Sequence, residues 1–280
     1  MNLKLDQALR LAKKKLKEGC AEEAKRIYRD VLFRFPGNKK ARVGLKALEG
    51  HSHNNMQKGV APPQDQLQSL VGLYNQGKLQ SALEQALVML KEFPHSSLLH
   101  NICGAVYAAF KQYDAAIDCY NQAINIDPNH AETLNNMGNV LKDKGDLKSA
   151  LDFYGRAISI KPDYEAAYYN MGNTQNEQGD VNAAIDSFKN ALKIKPDYFE
   201  AYYNMGTVLQ DAGDLDAAIG SYTMTLKIKP DYAEAHNNMG NVQKSKGNLE
   251  LALYSYQQAI KFKPNYAVAL NNKSNVLKLK

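Results

Sequence analysis

The 280-residue sequence contains no tryptophan, only three cysteines and no apolar run of bilayer-spanning length. Cys20, Cys103 and Cys119 form a sparse, odd-numbered set, which excludes the disulfide framework of a small secreted scaffold. Charged residues interrupt the amino terminus before a signal-peptide core could form. The sequence therefore predicts no membrane insertion and a cytoplasmic location. Phosphate-loop, dinucleotide-binding glycine and paired-histidine zinc motifs are also missing. His51 and His53 have no third ligand near them in sequence, and two histidines alone make a poor metal site. The expectation is a protein that is not an enzyme and needs no cofactor or metal. With 44% hydrophobic and 23% charged residues, the chain can bury an interior.

The formal charge of +6 is unevenly placed. Residues 1–60 carry 15 Lys and Arg against 6 Asp and Glu, whereas the remainder carries 20 against 23. A nucleic-acid interface would have to rest on the first 60 residues. The run Lys13-Lys14-Lys15-Leu16-Lys17, with Arg26 and Arg29, reads first as a solvated helix face. Contact with an acidic partner, a membrane surface or nucleic acid is its other reading.

What the chain does have is a period. Proline recurs at 94, 128, 162, 196, 230 and 264, every 34 residues. With this proline at position 32, six full units span 63–96, 97–130, 131–164, 165–198, 199–232 and 233–266, and a partial seventh spans 267–280. Position 20 is Ala82, Ala116, Ala150, Ala184, Ala218 and Ala252. Position 8 is glycine from Gly104 onward, and position 24 is Tyr120, Tyr154, Phe188, Tyr222 and Tyr256. Position 15 is glycine in five units, with Lys111 the exception.

Each position has a physical task. Leu134, Met137 and Leu141 fall on one face of a helix. Small residues at positions 8 and 20 let two helices approach closely, and the aromatic ring fills the wedge between them. Glycine at position 15 suits the left-handed end of the first helix. Asp146, Asp180, Asp214 and Asn248 then cap the second. Asn129 with Glu132, Asp197 with Glu200, and Asp231 with Glu234 have the spacing of capping boxes. The chain from 63 onward is predicted to be a stack of helical hairpins, each burying a face against its neighbour.

The set Leu134, Met137, Gly138, Leu141, Ala150, Tyr154, Ala157 and Pro162 resembles the tetratricopeptide (TPR) repeat. Gln175, Gln243 and Thr225 depart from its apolar choices. The resemblance implies an all-α, right-handed superhelical solenoid of antiparallel helix pairs, whose first helices line a concave groove that binds peptides or proteins. Residues 5–38 carry one further unit, and 39–49 resemble a first helix without its partner. Residues 1–50 are thus expected to form a basic module, 51–62 a linker or loop, and 63–280 the solenoid. Lys273 and Ser274 replace methionine and glycine in the last helix, as expected of a solvated cap.

Position 6 reads Ile102, Asn136, Asn170, Asn204, Asn238 and Asn272; position 9 includes Asn139, Asn173, Asn241 and Asn275. Asparagine is a modest helix former, so its repetition in mid-helix needs a cause. One reading is a ladder of amides, each pairing with both C=O and N–H of an extended guest. Tyr169 and Tyr203 at position 5 are candidates for added contact, and the ladder resembles that of the superhelical domain of O-linked N-acetylglucosamine transferases at Asn136, Asn170, Asn204, Asn238 and Asn272, with Ile102 departing from it. The other reading is that the asparagines bond across the stack, or persist from duplication of one repeat. Asn101, Asn135 and Asn237 at position 5 do not supply the lysine of a carboxylate clamp. A groove mixing Glu132, Lys142, Asp143, Glu177, Glu200, Asp211, Glu234 and Lys244 is a poor match for phosphate backbones, so nucleic acid is not the expected groove partner.

The predicted function is a protein- or peptide-binding scaffold. TPR arms of bacterial transferases offer a parallel, in which a transferase would be a separate partner. The alternatives are a structural solenoid that self-associates head to tail, and nucleic-acid or acidic-partner binding through the basic module.

Overall fold

The computed structural model describes residues 5–17, 21–35, 38–45 and 61–279. Gly19, Cys20, Pro36, Leu48, His51, His53 and most of the expected linker lie outside the described residues. All regular structure among the described residues is α-helical. The chain divides into two units, Met1–Ala61 and Pro62–Lys280.

The first unit holds α1 (Leu5–Lys17), α2 (Ala21–Arg34) and the helical stretch α3 over 39–45. Ala8, Ala12, Ala24, Tyr28, Val31 and Ala41 form its core. A Cβ placed on Gly44 would lie 2.6 Å from the Tyr28 ring, so α3 crosses that ring closely. Leu5, Leu11, Ile27 and Phe35 line an open cleft on this unit. Lys15 pairs with Glu23 at 2.9 Å, which employs one charge of the basic run inside the module.

The second unit is the solenoid of 34-residue antiparallel helix pairs, wound as a right-handed superhelix. Its first helices are α4 (Gln64–Asn75), α6 (Ser97–Ala109), α8 (Ala131–Asp143), α10 (Glu165–Glu177), α12 (Phe199–Asp211), α14 (Ala233–Ser245) and α16 (Ala267–Leu277). The second helices are α5 (Leu79–Glu92), α7 (Tyr113–Ile126), α9 (Leu147–Ile160), α11 (Val181–Ile194), α13 (Leu215–Ile228) and α15 (Leu249–Phe262).

Within a hairpin, the small residue and the ring fit one another. All six position-20 alanines are fully buried, as are Tyr154, Phe188, Tyr222 and Tyr256. A Cβ at Gly138 would stand 2.6 Å from Tyr154, and one at Gly240 2.5 Å from Tyr256. Glycine is required there by lack of space. Between hairpins, Met137, Val140 and Leu141 pack against Ile117 and Ile124 of the preceding second helix. Position 10, which carried no role in the sequence pattern above, is a continuous core line of Val106, Val140, Thr174, Val208, Val242 and Val276. The polar departures are all satisfied. Thr174 donates to the Asn170 carbonyl at 2.8 Å, Thr225 to that of Ser221 at 3.0 Å, and Ser187 to Gln175 at 2.6 Å.

The hairpin turns follow the expected chemistry, with two differences at the caps. Gly145 has φ of 90° immediately after α8, and Lys111 adopts φ of 58° at the equivalent place. Asp146, Asp180 and Asp214 accept the backbone N–H three residues on, at 3.1, 3.1 and 3.2 Å. Asn248 makes no such bond and instead donates its amide to Gln243 at 2.9 Å. The expected capping boxes do not form, because the N-cap is one residue later, at His130, Tyr198 and Tyr232. The Lys-Pro-Asp-Tyr turn explains the shift at Tyr198 and Tyr232, whereas His130 itself caps α8 by accepting the Thr133 N–H at 3.3 Å. Tyr198 donates its N–H to the Lys195 carbonyl at 3.2 Å, and the Lys195 ammonium sits 4.7 Å above the Tyr198 ring. Lys161 and Tyr164 repeat this arrangement, as do Lys263 and Tyr266.

Successive first helices, from α6 to α16, touch one another, while no two successive second helices pack to that extent. The first helices therefore line the inner curve of the superhelix.

Candidate functional site

On that inner curve the position-6 asparagines form a staircase of side-chain bonds. Each amide nitrogen reaches back to the position-5 side chain of the preceding unit. Asn136 donates to Asn101 at 3.4 Å, Asn170 to Asn135 at 3.0 Å, and Asn272 to Asn237 at 3.0 Å. Where position 5 is tyrosine, its hydroxyl takes the bond: Asn204 donates to Tyr169 at 2.9 Å and Asn238 to Tyr203 at 3.1 Å. Ile102, buried at the same position of the first such helix, has no amide to offer.

Position 9 has a different partner. The Tyr154 hydroxyl donates to Asn139 Oδ1 at 2.8 Å, and the Tyr256 hydroxyl to Asn241 Oδ1 at 2.9 Å. The ring lies in the hairpin core, and its one polar atom meets an acceptor on the first helix. Burial pushes the Tyr256 hydroxyl up to about 12 and raises that of Tyr154 further, so both are neutral donors at ordinary pH. Phe188 has no hydroxyl, and Asn173 Oδ1 instead accepts from Asn204 at 2.8 Å. The Tyr222 hydroxyl is nearest Gln210 Oε1, at 3.1 Å, with Thr207 Oγ1 farther at 3.4 Å, and Thr207 donates to the Tyr203 carbonyl at 3.2 Å.

These bonds change the picture of free bidentate amides. Part of every position-6 amide, and the oxygen of Asn139, Asn173 and Asn241, is used by the protein itself, because an isolated amide inside a helix stack must find a partner. What stays available is the other part. Asn136, Asn170, Asn204, Asn238 and Asn272 are all half-buried, as are Asn139, Asn173 and Asn241, so each side chain keeps some exposure to solvent.

Tyr169 and Tyr203 are half-buried too, and are held by neighbouring rings. Tyr169 lies 4.9 Å from Tyr198, and Tyr203 lies 5.0 Å from Tyr232 in edge-on contact. Lys142 stands between Asp143 and Glu177 at 3.9 and 3.8 Å, and a shallow depression joins it to Asn173, Asn204 and Thr207. Lys263 bonds Glu234 at 2.9 Å and draws that carboxyl below its usual range. His236 is hairpin structure: its Nε2 bonds the Pro230 carbonyl at 2.9 Å and its ring stacks on Phe262. Cys103 is buried and pushed up to about 12 by that burial, so its thiol is inert at neutral pH. No helix among the described residues is long and apolar enough to cross a membrane.

Comparison with known proteins agrees with this architecture. A family model described as TPR repeat matches residues 104–145, 138–179, 172–213 and 207–247, and one described as tetratricopeptide repeat matches 233–266. Among solved structures, the chain is similar to MamA, at 28% identity over 59% of this chain and 96% of MamA, with a TM-score of 0.55. It is also similar to YrrB, described as a TPR protein with an unusual peptide-binding site, at 22% identity over 68% and 97% of the two chains, TM-score 0.56. Pseudomonas aeruginosa PilF shares the fold at 17% identity over 77% and 96%, TM-score 0.66. A search of curated protein sequences finds no match.

Proposed function

Since this chain belongs to the tetratricopeptide repeat family, we propose that it is a protein- and peptide-binding scaffold holding extended segments along the inner curve of its solenoid. The supporting observation is the run of half-buried amides from Asn136 to Asn272, each anchored by the stack and each with capacity left over. An anchored amide has lost its rotamer freedom in advance, so a guest pays less to engage it. One such bond is worth about 1 kcal/mol net, and a few of them give weak, sequence-tolerant capture. Tyr169 and Tyr203 add apolar contact in the middle of the groove.

The test is capture of an array of unrelated unstructured peptides by the full chain. The expected result is weak binding to many members, mutual competition among them, and persistence at high salt, since neutral amides do the holding. Absence of capture, or capture that vanishes with salt, would contradict the proposal.

A further inference from the structure

The scaffold's own bonds decide which half of each amide a guest meets, and they decide it differently in the two series. At position 6, Asn136, Asn170 and Asn204 turn their Nδ2 atoms into the stack, while their Oδ1 atoms have no partner among the described residues; Asn238 departs, its Oδ1 accepting from Asn237 Nδ2 at 3.3 Å. At position 9, Asn139 and Asn241 spend Oδ1 on buried tyrosine hydroxyls, Asn241 accepting from Asn272 Nδ2 at 3.1 Å as well, and both leave their Nδ2 hydrogens without partners. Asn173 is the informative exception. Its hairpin carries Phe188 in place of tyrosine, and its Oδ1 is occupied by Asn204 Nδ2 alone, at 2.8 Å, the counterpart of the bond from Asn272 to Asn241. Two different partners give the same outward polarity.

We infer that the groove reads a guest backbone through two parallel rows of opposite polarity, acceptors at position 6 and donors at position 9. This rests on the peptide-holding reading above and refines it. Positions 6 and 9 are one helical turn apart and share a helix face. In a trans peptide unit the C=O and N–H point in opposite directions. An extended guest lying between the rows gives N–H groups to Asn136, Asn170 and Asn204, and takes donors from Asn139, Asn173 and Asn241 on its carbonyls. The partner is therefore an unfolded segment with free backbone donors and acceptors, chosen for its conformation. A secondary-amide backbone suffices; proline-dense or N-methylated stretches leave the acceptor row unanswered.

The test uses a fluorescein-labelled glycine–serine peptide, which has a backbone and almost no side chains, and the full chain carrying Asn139→Asp with Asn241→Asp. Aspartate keeps the acceptor for Tyr154 and Tyr256 but replaces the outward donor with a second acceptor. The expected result is binding weakened about tenfold or more, from two lost hydrogen bonds, with an unchanged melting temperature. As a second arm that needs no variant, a fully N-methylated version of the peptide is expected to bind the unaltered chain about tenfold more weakly. Equal binding by the aspartate variant, or equal binding of the N-methylated peptide, overturns the two-row polarity and leaves peptide holding intact. If neither this peptide nor any array member binds the unaltered chain, peptide holding itself fails and the polarity falls with it.

Discussion

Lys111 is, among the described residues, the one non-glycine side chain at positive φ, standing where Gly77, Gly145, Gly179, Gly213 and Gly247 end their helices. A left-handed conformation costs an L-residue roughly 1–2 kcal/mol, and no neighbouring hydrogen bond depends on the lysine side chain at this exposed turn. Lys111→Gly is expected to stabilise the protein by about 1 kcal/mol, allowing for the added freedom of the unfolded chain. A rise in the urea midpoint at constant m-value would confirm it; an unchanged or lower midpoint would show the strain to be compensated locally. This position was readable from sequence because glycine's absence breaks a regular series. The asparagines were readable only by half. Their recurrence marks them, but which atom of each amide turns inward depends on partners 15, 31 or 35 residues away in the chain, and no local pattern carries that.

At the scale of the hairpin, glycine at position 8, the ring at position 24 and the acceptor at position 9 act as one device. The glycine admits the ring, the ring fills the core, and the acceptor takes the hydroxyl that would otherwise be buried without a partner. The two small positions and the ring could be inferred from their periodicity alone. The N-caps could not, because the turn's backbone hydrogen bond and the lysine above the tyrosine ring move the cap one residue past the aspartate. The device also sets an alkaline limit. Tyr222 and Tyr256 are pushed up to about 12 by burial, above the unfolded value near 10. The unfolded chain therefore loses these protons first. Their stabilising contribution is complete below pH about 10 and disappears as pH rises from about 10 to about 12. Melting temperature is expected to fall steeply across that window, and less steeply in Tyr256→Phe, which at neutral pH loses only the bond to Asn241. An identical alkaline slope in the variant would show that Tyr256 does not contribute.

For the molecule as a whole, a 34-residue phase kept from 63 to 266 determines the solenoid, since equal hairpins stacked in one register can only build a superhelix. The first unit was harder to read. Its hairpin fits the same frame, but the phase breaks before residue 63. On the proposed reading, the solenoid's curvature turns a local habit of asparagine into a wall, because it places the first helices from α6 to α16 on the inside.

The most direct measurement is paramagnetic broadening of the asparagine side-chain amide signals by a spin-labelled unstructured peptide added to the full chain. The account predicts loss of signal from Asn139, Asn173 and Asn241 on the first helices, with Asn121 and Asn182, exposed on second helices, unaffected. Broadening of Asn121 and Asn182 with the inner asparagines unchanged would contradict it.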